Sequence, residues 1–134
     1  MASIFSRIIA GEIPCYKIAE DDRFIAFLDV FPVAAGHVLV VPKVEIDKIF
    51  DVSDELLAAW LPFAKPIAKA IEQVFPCNRC GISVVGLEVP HAHMHLIPIN
   101  ASGDMDFSKP KLKFSKEEFL EIQSKLCRAM AHIS

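Results

Sequence analysis

Pro90-His91-Ala92-His93-Met94-His95-Leu96-Ile97-Pro98 places three histidines at alternate positions in one short run. Alternation is the period of a β-strand, whose successive side chains leave opposite faces and whose same-face neighbours lie about 6.7 Å apart. His91, His93 and His95 are therefore expected in a row on one face. Ala92, Met94 and Leu96 form an apolar row on the other, suited to pack on a core. Histidine is the side chain whose ordinary pKa is nearest neutrality, so such a row offers nucleophile, acid and base together. A shared metal fits the spacing poorly. His91 and His95 would lie about 13 Å apart along a strand, whereas ligands of one zinc sit about 2.1 Å from the ion. Three core histidines are the bland alternative, and nucleophilic catalysis is the reading favoured by the pattern.

The chain has 134 residues, enough for one domain with a real core, expected over 1–134. Hydrophobic residues make up 53%, a little rich for a core alone, which suggests a buried subunit interface as well. The net charge of −3 offers no basic surface for nucleic acid. No apolar run reaches the ~18 residues of a membrane span, and the N-terminus lacks the pattern of a secretory signal. A cytoplasmic protein is expected. Cys15, Cys77, Cys80 and Cys127 are too few for a disulfide scaffold and read as reduced thiols. Cys77-x-x-Cys80 has a metal-like spacing, but no further ligand pair at matching spacing accompanies it.

The coarse pattern is α+β. Ile4, Phe5, Ile8 and Ile9 share one face of a short helix that stops at Gly11. Tyr16–Glu20 and Arg23–Leu28 read as a hairpin turning at Asp21-Asp22, and His37–Val41 as a β-branched strand. Ser53 caps a long helix to about Phe75, in which Pro62 and Pro66 predict a kink or a late start. Cys80–Val85 and His91–Ile97 are the last strands. Ser115-x-x-Glu118 is a capping box opening a helix to about Ala131.

The segment His91-Ala92-His93-Met94-His95-Leu96-Ile97 resembles the signature of the histidine-triad (HIT) superfamily. Ile4 to Pro14, Glu20 to Asp29 and Gly36 to Lys43 are similar to other segments of that family, in its order, over about residues 4–98. The resemblance implies an antiparallel sheet of about five strands with a long central helix and a C-terminal helix, paired into a homodimer through the long helix and the strand Cys80–Val85. It implies a purine nucleotide or nucleoside monophosphate conjugate as substrate, cleaved from an amine or phosphate leaving group through a covalent nucleotidyl-histidine. His93 then corresponds to the nucleophile and His91 to the residue whose strand supplies its carbonyl partner. His95 corresponds to the donor to phosphate or leaving group, and His37 to a brace. Asp29 resembles the carboxylate that accepts the ribose hydroxyls, although before Pro32 it also suits a turn. Phe5, Ile8, Phe27 and Val30 correspond to the base pocket, with core packing as the alternative for each.

No cofactor and no metal are expected, because the cysteine pair that binds zinc in some bacterial members corresponds here to Ser3 and Ser6. The chain departs from the nucleoside phosphoramidate branch before the triad. Val84-Val85-Gly86-Leu87-Glu88-Val89-Pro90 lacks that branch's asparagine and its Gly-Gln-Ser or Gly-Gln-Thr ending. Glu88 stands in the hydroxyl position and Val89 beside it. A carboxylate next to a phosphate costs affinity unless it is protonated or paired, and Glu88 could instead deliver a proton to a leaving amine. Two other readings stay open: a nucleotide-binding regulatory protein with residual activity, and a dinucleoside polyphosphate hydrolase.

Overall fold

Phe24–Leu28 (β2) and Val38–Pro42 (β3) are buried at every position, so no face of either strand can be left to water. A pleat sends alternate side chains to opposite sides, and the two sets enter two cores. Phe24, Ala26, Leu28, Val38 and Val40 join a large cluster. Ile25, Phe27, Leu39 and Val41 join a smaller one with Phe5. In the computed structural model, residues 2–133 are described; residues 1 and 134 of the expected domain lie outside them.

The elements run α1 (Ile4–Ile9), β1 (Lys17–Glu20), β2, β3, α2 (Asp54–Val74), β4 (Arg79–Ser83), β5 (Met94–Ile99) and α3 (Lys116–Met130). One antiparallel sheet holds the strands in the order β1-β2-β3-β5-β4. The large core lies between the sheet and α2, with Trp60, Ala64, Ile67, Ala70 and Ile71 presented from the helix and Phe119 and Leu126 from α3. Ala92, Met94 and Leu96 face it as the alternation required. The opposite face carries α1 and the histidines.

Helix signals were reliable. Ser53 Oγ accepts the Leu56 N–H, and Ser115 and Glu118 close a reciprocal capping box. Of the expected apolar face of α1, Phe5, Ile8 and Ile9 pack on the small core, but Ile4 is 49% exposed. A helix of this length turns only one short stripe inward, and the i, i+3, i+4 set beginning at Phe5 fills it.

Two expectations are corrected. The late start allowed for Pro62 and Pro66 does not occur: α2 runs unbroken from Asp54 to Val74 through both prolines. Each proline leaves the carbonyl four residues earlier without a donor. Those residues, Ala58 and Pro62, are exposed, so water can take both carbonyls. The second correction concerns the triad. β5 starts at Met94, so His91 and His93 precede the strand. The β3–β5 ladder ends at the Val40–Met94 pair. Pro42, two residues on, has no N–H to offer. Its carbonyl accepts from the His91 ring at 2.8 Å, and Ala92 N–H turns to the Ile46 carbonyl at 2.7 Å. β5 excepted, the element ends differ from expectation by only a residue or two.

Gly36 sets up β3. Its φ is +91°, and a Cβ there would lie 2.5 Å from Phe75 Cε2. Gly36→Ala thus combines left-handed strain with a clash against an aromatic ring. We expect a loss of at least ~2 kcal/mol in urea denaturation. An unchanged midpoint would contradict this placement of Phe75 on the turn.

Candidate active site

Five histidine or aromatic rings line the small-core side of β5. From one end, Phe5 lies 4.9 Å from His93, His93 4.9 Å from His95, and His95 4.6 Å from Phe107, between ring centroids. His37, from the residue before β3, sits 5.1 Å from His95. These three histidines are buried, as is His91, whose ring lies 5.8 Å from that of Phe5.

Fixed backbone donors and acceptors decide which nitrogen of each ring carries hydrogen. A carbonyl can only accept, so His93 Nδ1 donates to the His91 carbonyl at 2.7 Å. In the neutral ring, Nε2 then keeps its lone pair. Likewise His91 Nε2–H donates to the Pro42 carbonyl, and His91 Nδ1 accepts from the Ser3 hydroxyl at 2.7 Å. On the other side the chain of inference starts from a donor. Val33 N–H donates to His37 Nδ1 at 3.1 Å, so His37 Nε2 carries the hydrogen. That hydrogen goes to His95 Nδ1 at 2.9 Å, leaving His95 with Nε2–H. His93 and His95 therefore have opposite tautomers, one with a free lone pair and the other with a free N–H.

Burial favours the neutral form of His37, His93 and His95. Desolvation pushes His37 and His95 down to about 3, with the Lys111 charge contributing to both. His93 is also lowered, mainly by desolvation, against the carbonyl hydrogen bond and the charges of Asp29 and Glu88, which favour its protonated form. An imidazole so placed is a base and nucleophile without first having to lose a proton.

Phe5, Ile8, Phe27 and Val89 come together in the small core, with Phe5 edge-on to Phe27 at 5.7 Å. Val30 does not join them and is 49% exposed. It follows β2 at the point where the chain leaves the sheet, and no element covers it. Asp29 makes the turn its position suggested and also faces His37. Oδ1 accepts the Phe31 N–H at 2.9 Å, as in a turn, while Oδ2 lies 3.5 Å from His37 Nε2. Glu88 is exposed on the loop before the triad, close enough for its charge to bear on His93.

Among the described residues, Asp29, His37 and His95 are the one group placed to share a metal ion. Their hydrogen bonds oppose it. For His37 Nε2 to ligate, its hydrogen would move to Nδ1, which already faces the Val33 N–H. Two donors would then meet in a buried site, at a cost of ~1–3 kcal/mol. Cys77 and Cys80 gain no support as ligands either: both thiols are pushed up by burial, Cys80 to about 12, and metal binding requires thiolates.

Sequence reading missed the clasp behind His91. Ser3 Oγ accepts the Ser6 N–H at 3.0 Å while serving His91. Glu45 Oε1 accepts from Ser3 N–H at 2.6 Å and from the Ser6 hydroxyl at 2.7 Å. The Ser3 N–H, then the Ser6 hydroxyl, hold this carboxylate down at about 2. The places of Ser3 and Ser6 are thus filled by hydrogen bonds that tie α1 to His91. Only the N-cap character of Ser3 before an apolar helix was available as a signal. Phe107 and Lys111 had none.

The depressed histidines make stability depend on pH. Below about 6.5 an unfolded chain takes protons that the buried rings refuse. Stability present above that value is therefore lost progressively as pH falls toward the folded values near 3. Urea midpoints measured at pH 7, 6 and 5 should fall in that order. A flat series would contradict the burial of neutral imidazoles.

The chain and its fold have counterparts among known proteins. A family model described as the HIT domain matches residues 10–101. The chain is 39% identical over 108 residues to protein hit of Bacillus subtilis, covering 75% of this chain and 73% of that one. It is 36% identical over 132 residues to the adenosine 5'-monophosphoramidase hnt1 of Schizosaccharomyces pombe, covering 94% and 99%. A crystal structure of a HIT-like protein from Bartonella henselae superposes with a TM-score of 0.81 at 30% identity, covering 95% of each chain. The chain belongs to the HIT family.

Proposed function

We propose that the protein is a nucleotidyl hydrolase that releases a nucleoside monophosphate from an amine or phosphate leaving group through a covalent intermediate on His93. The observation that carries this reading is the opposed tautomer pair. His93 Nδ1–H is held by a carbonyl and Nε2 is free, and the neighbouring His95 presents Nε2–H. The relationship to an adenosine 5'-monophosphoramidase supports the substrate class.

In the first step His93 Nε2 bonds to phosphorus and the bond to the leaving group breaks. Positive charge appears on the His93 ring, and the His91 carbonyl already accepting from Nδ1 stabilises it. His95 Nε2–H donates to an oxygen of the phosphoryl group, where negative charge concentrates. Because His37 and His95 are neutral, the relay behind this N–H holds no spare proton to surrender. A phosphoramidate whose nitrogen enters protonated therefore suits the site: the amine leaves neutral and no net proton is needed. For an unprotonated nitrogen, Glu88, exposed at the rim, would take a proton from solvent and pass it to the leaving amine. Water then attacks phosphorus, the nucleotide leaves with oxygen in place of nitrogen, one proton goes to product or solvent, and His93 returns to its neutral form.

Phe5, Ile8, Phe27 and Val89 supply the apolar end for a purine, and Asp29 Oδ2 the acceptor for the ribose hydroxyls. The substrate-binding roles of these residues, and of Glu88, belong to this proposal. His93→Ala removes the covalent route, and we expect turnover of adenosine phosphoramidate to drop by about three or more decades. Calorimetry should still detect nucleotide binding. Near-normal turnover would refute the mechanism, and a wild-type protein that binds nucleotide without turnover would favour the regulatory reading.

We also infer a homodimer formed through α2 and β4. Gln123 and Cys127 of α3 cover the outer backbone of β1 by contacting the Lys17 carbonyl, whereas β4, at the other edge, has no strand beyond it among the described residues. Beside it lies a groove of about 470 Å³ lined by Leu61, Ala64, Ala68, Ile82 and Leu96. Leu61 and Ile82 are more than half exposed. Light scattering should give twice the chain mass, and Ile82→Lys should halve it. A monomer at micromolar concentration would overturn the pairing.

A further inference from the structure

The family match ends at residue 101, yet the chain beyond it returns to the site. After β5 a 3-10 turn spans Ser102–Met105. The segment from 106 to 115 has no regular structure and is pinned where Leu112 N–H donates to the Pro32 carbonyl at 2.8 Å. Phe107 then lies against His95, with ring centroids 4.6 Å apart, and 6.2 Å from His37.

Lys111 completes this strap. Its Nζ donates to the Phe107 carbonyl and, at 3.5 Å, to that of Lys109, and it sits 5.8 Å from the Phe107 ring centroid. These contacts use two of its three donors. Of the other two lysines in the segment, Lys113 is exposed and Lys109 is turned away, with its Nζ on the Gly103 carbonyl at 2.9 Å. Lys111 is partly buried and makes no ion pair among the described residues. A partly desolvated ammonium held by carbonyls but without an anion is a site with its counter-charge missing. Its charge reaches the neutral His37–His95 pair.

The order of rings says which part of a substrate would meet it. Phe5, His93, His95 and Phe107 follow one another, so Phe5 and Phe107 mark opposite ends of the site. If the nucleoside occupies the Phe5 end, as the proposed function has it, the Phe107 end remains for the leaving group, which departs opposite His93 Nε2. We propose that Lys111 selects leaving groups that themselves carry a negative charge near the scissile bond, a carboxylate or a phosphate. This inference rests on the nucleotidyl hydrolase reading and specifies the half of the substrate that reading leaves open. Lys111 binds and does not exchange a proton, so the bonds made and broken are those already described.

The test compares three substrates sharing one nucleoside monophosphate. One is the phosphoramidate of an amino acid with a free carboxylate, the second that of the corresponding amino-acid amide, and the third has a phosphate leaving group. kcat/KM is measured for wild type, Lys111→Gln and Lys111→Arg. Wild type should prefer the anionic leaving groups to the neutral one. Lys111→Gln should lower that preference about tenfold, the effect of one charge-assisted hydrogen bond, and Lys111→Arg should retain most of it. Loss confined to the carboxylate or to the phosphate substrate names the anion. An unchanged preference in Lys111→Gln, or equal loss on all three substrates, overturns the inference while leaving the hydrolase reading intact. Absence of wild-type turnover on every substrate overturns both.

Discussion

The hydrogen bond from His93 Nδ1 to the carbonyl of His91, 2.7 Å long, is the constraint on which the site depends. It freezes a ring that would otherwise exchange tautomers and aims the lone pair of Nε2 outward. Nothing else in the neighbourhood could do so as cheaply, because a backbone carbonyl neither titrates nor rotates away. The carbonyl is itself held through the His91 side chain, whose two nitrogens are fixed by Pro42 and Ser3. On the opposite flank, the Val33 N–H imposes the other tautomer on His37 and through it on His95. Two rings a few ångströms apart thus differ in chemistry because two backbone groups, one acceptor and one donor, differ.

The fold supplies those groups by leaving its own hydrogen-bond ladder incomplete. Pro42 cannot donate, so pairing between β3 and β5 stops and the chain before Met94 is free to turn its carbonyls and rings into the site. Burial on both sides of the sheet then excludes water from the histidines. The same burial that would make an unpartnered imidazole costly favours the neutral form of His37, His93 and His95, and each nitrogen needed for orientation has a partner.

Much of this was legible. Alternating histidines correctly separated the histidine face from Ala92, Met94 and Leu96, and Ser53, Ser115 and Glu118 marked helix starts by side-chain chemistry alone. Element order and sheet composition followed. The exceptions have physical causes. The strand containing the triad was drawn too early because a missing N–H at Pro42, about fifty residues upstream, ends it. Prolines in α2 misled because their cost depends on where the freed carbonyls point, and here they meet solvent. The Ser3–His91 contact joins residues 88 apart, and hydrogen bonds to Val33 and Pro42 use backbone atoms that every residue possesses. Phe107 and Lys111 reach the histidines only because residues 106–115 fold back, which no periodicity announces.

Tautomer state is directly measurable by long-range proton–nitrogen correlation NMR on protein with labelled histidines. At neutral pH the account predicts His93 protonated at Nδ1 and bare at Nε2, with His37 and His95 both protonated at Nε2 and bare at Nδ1. Finding His93 protonated at Nε2, or His93 and His95 in the same tautomer, would contradict it.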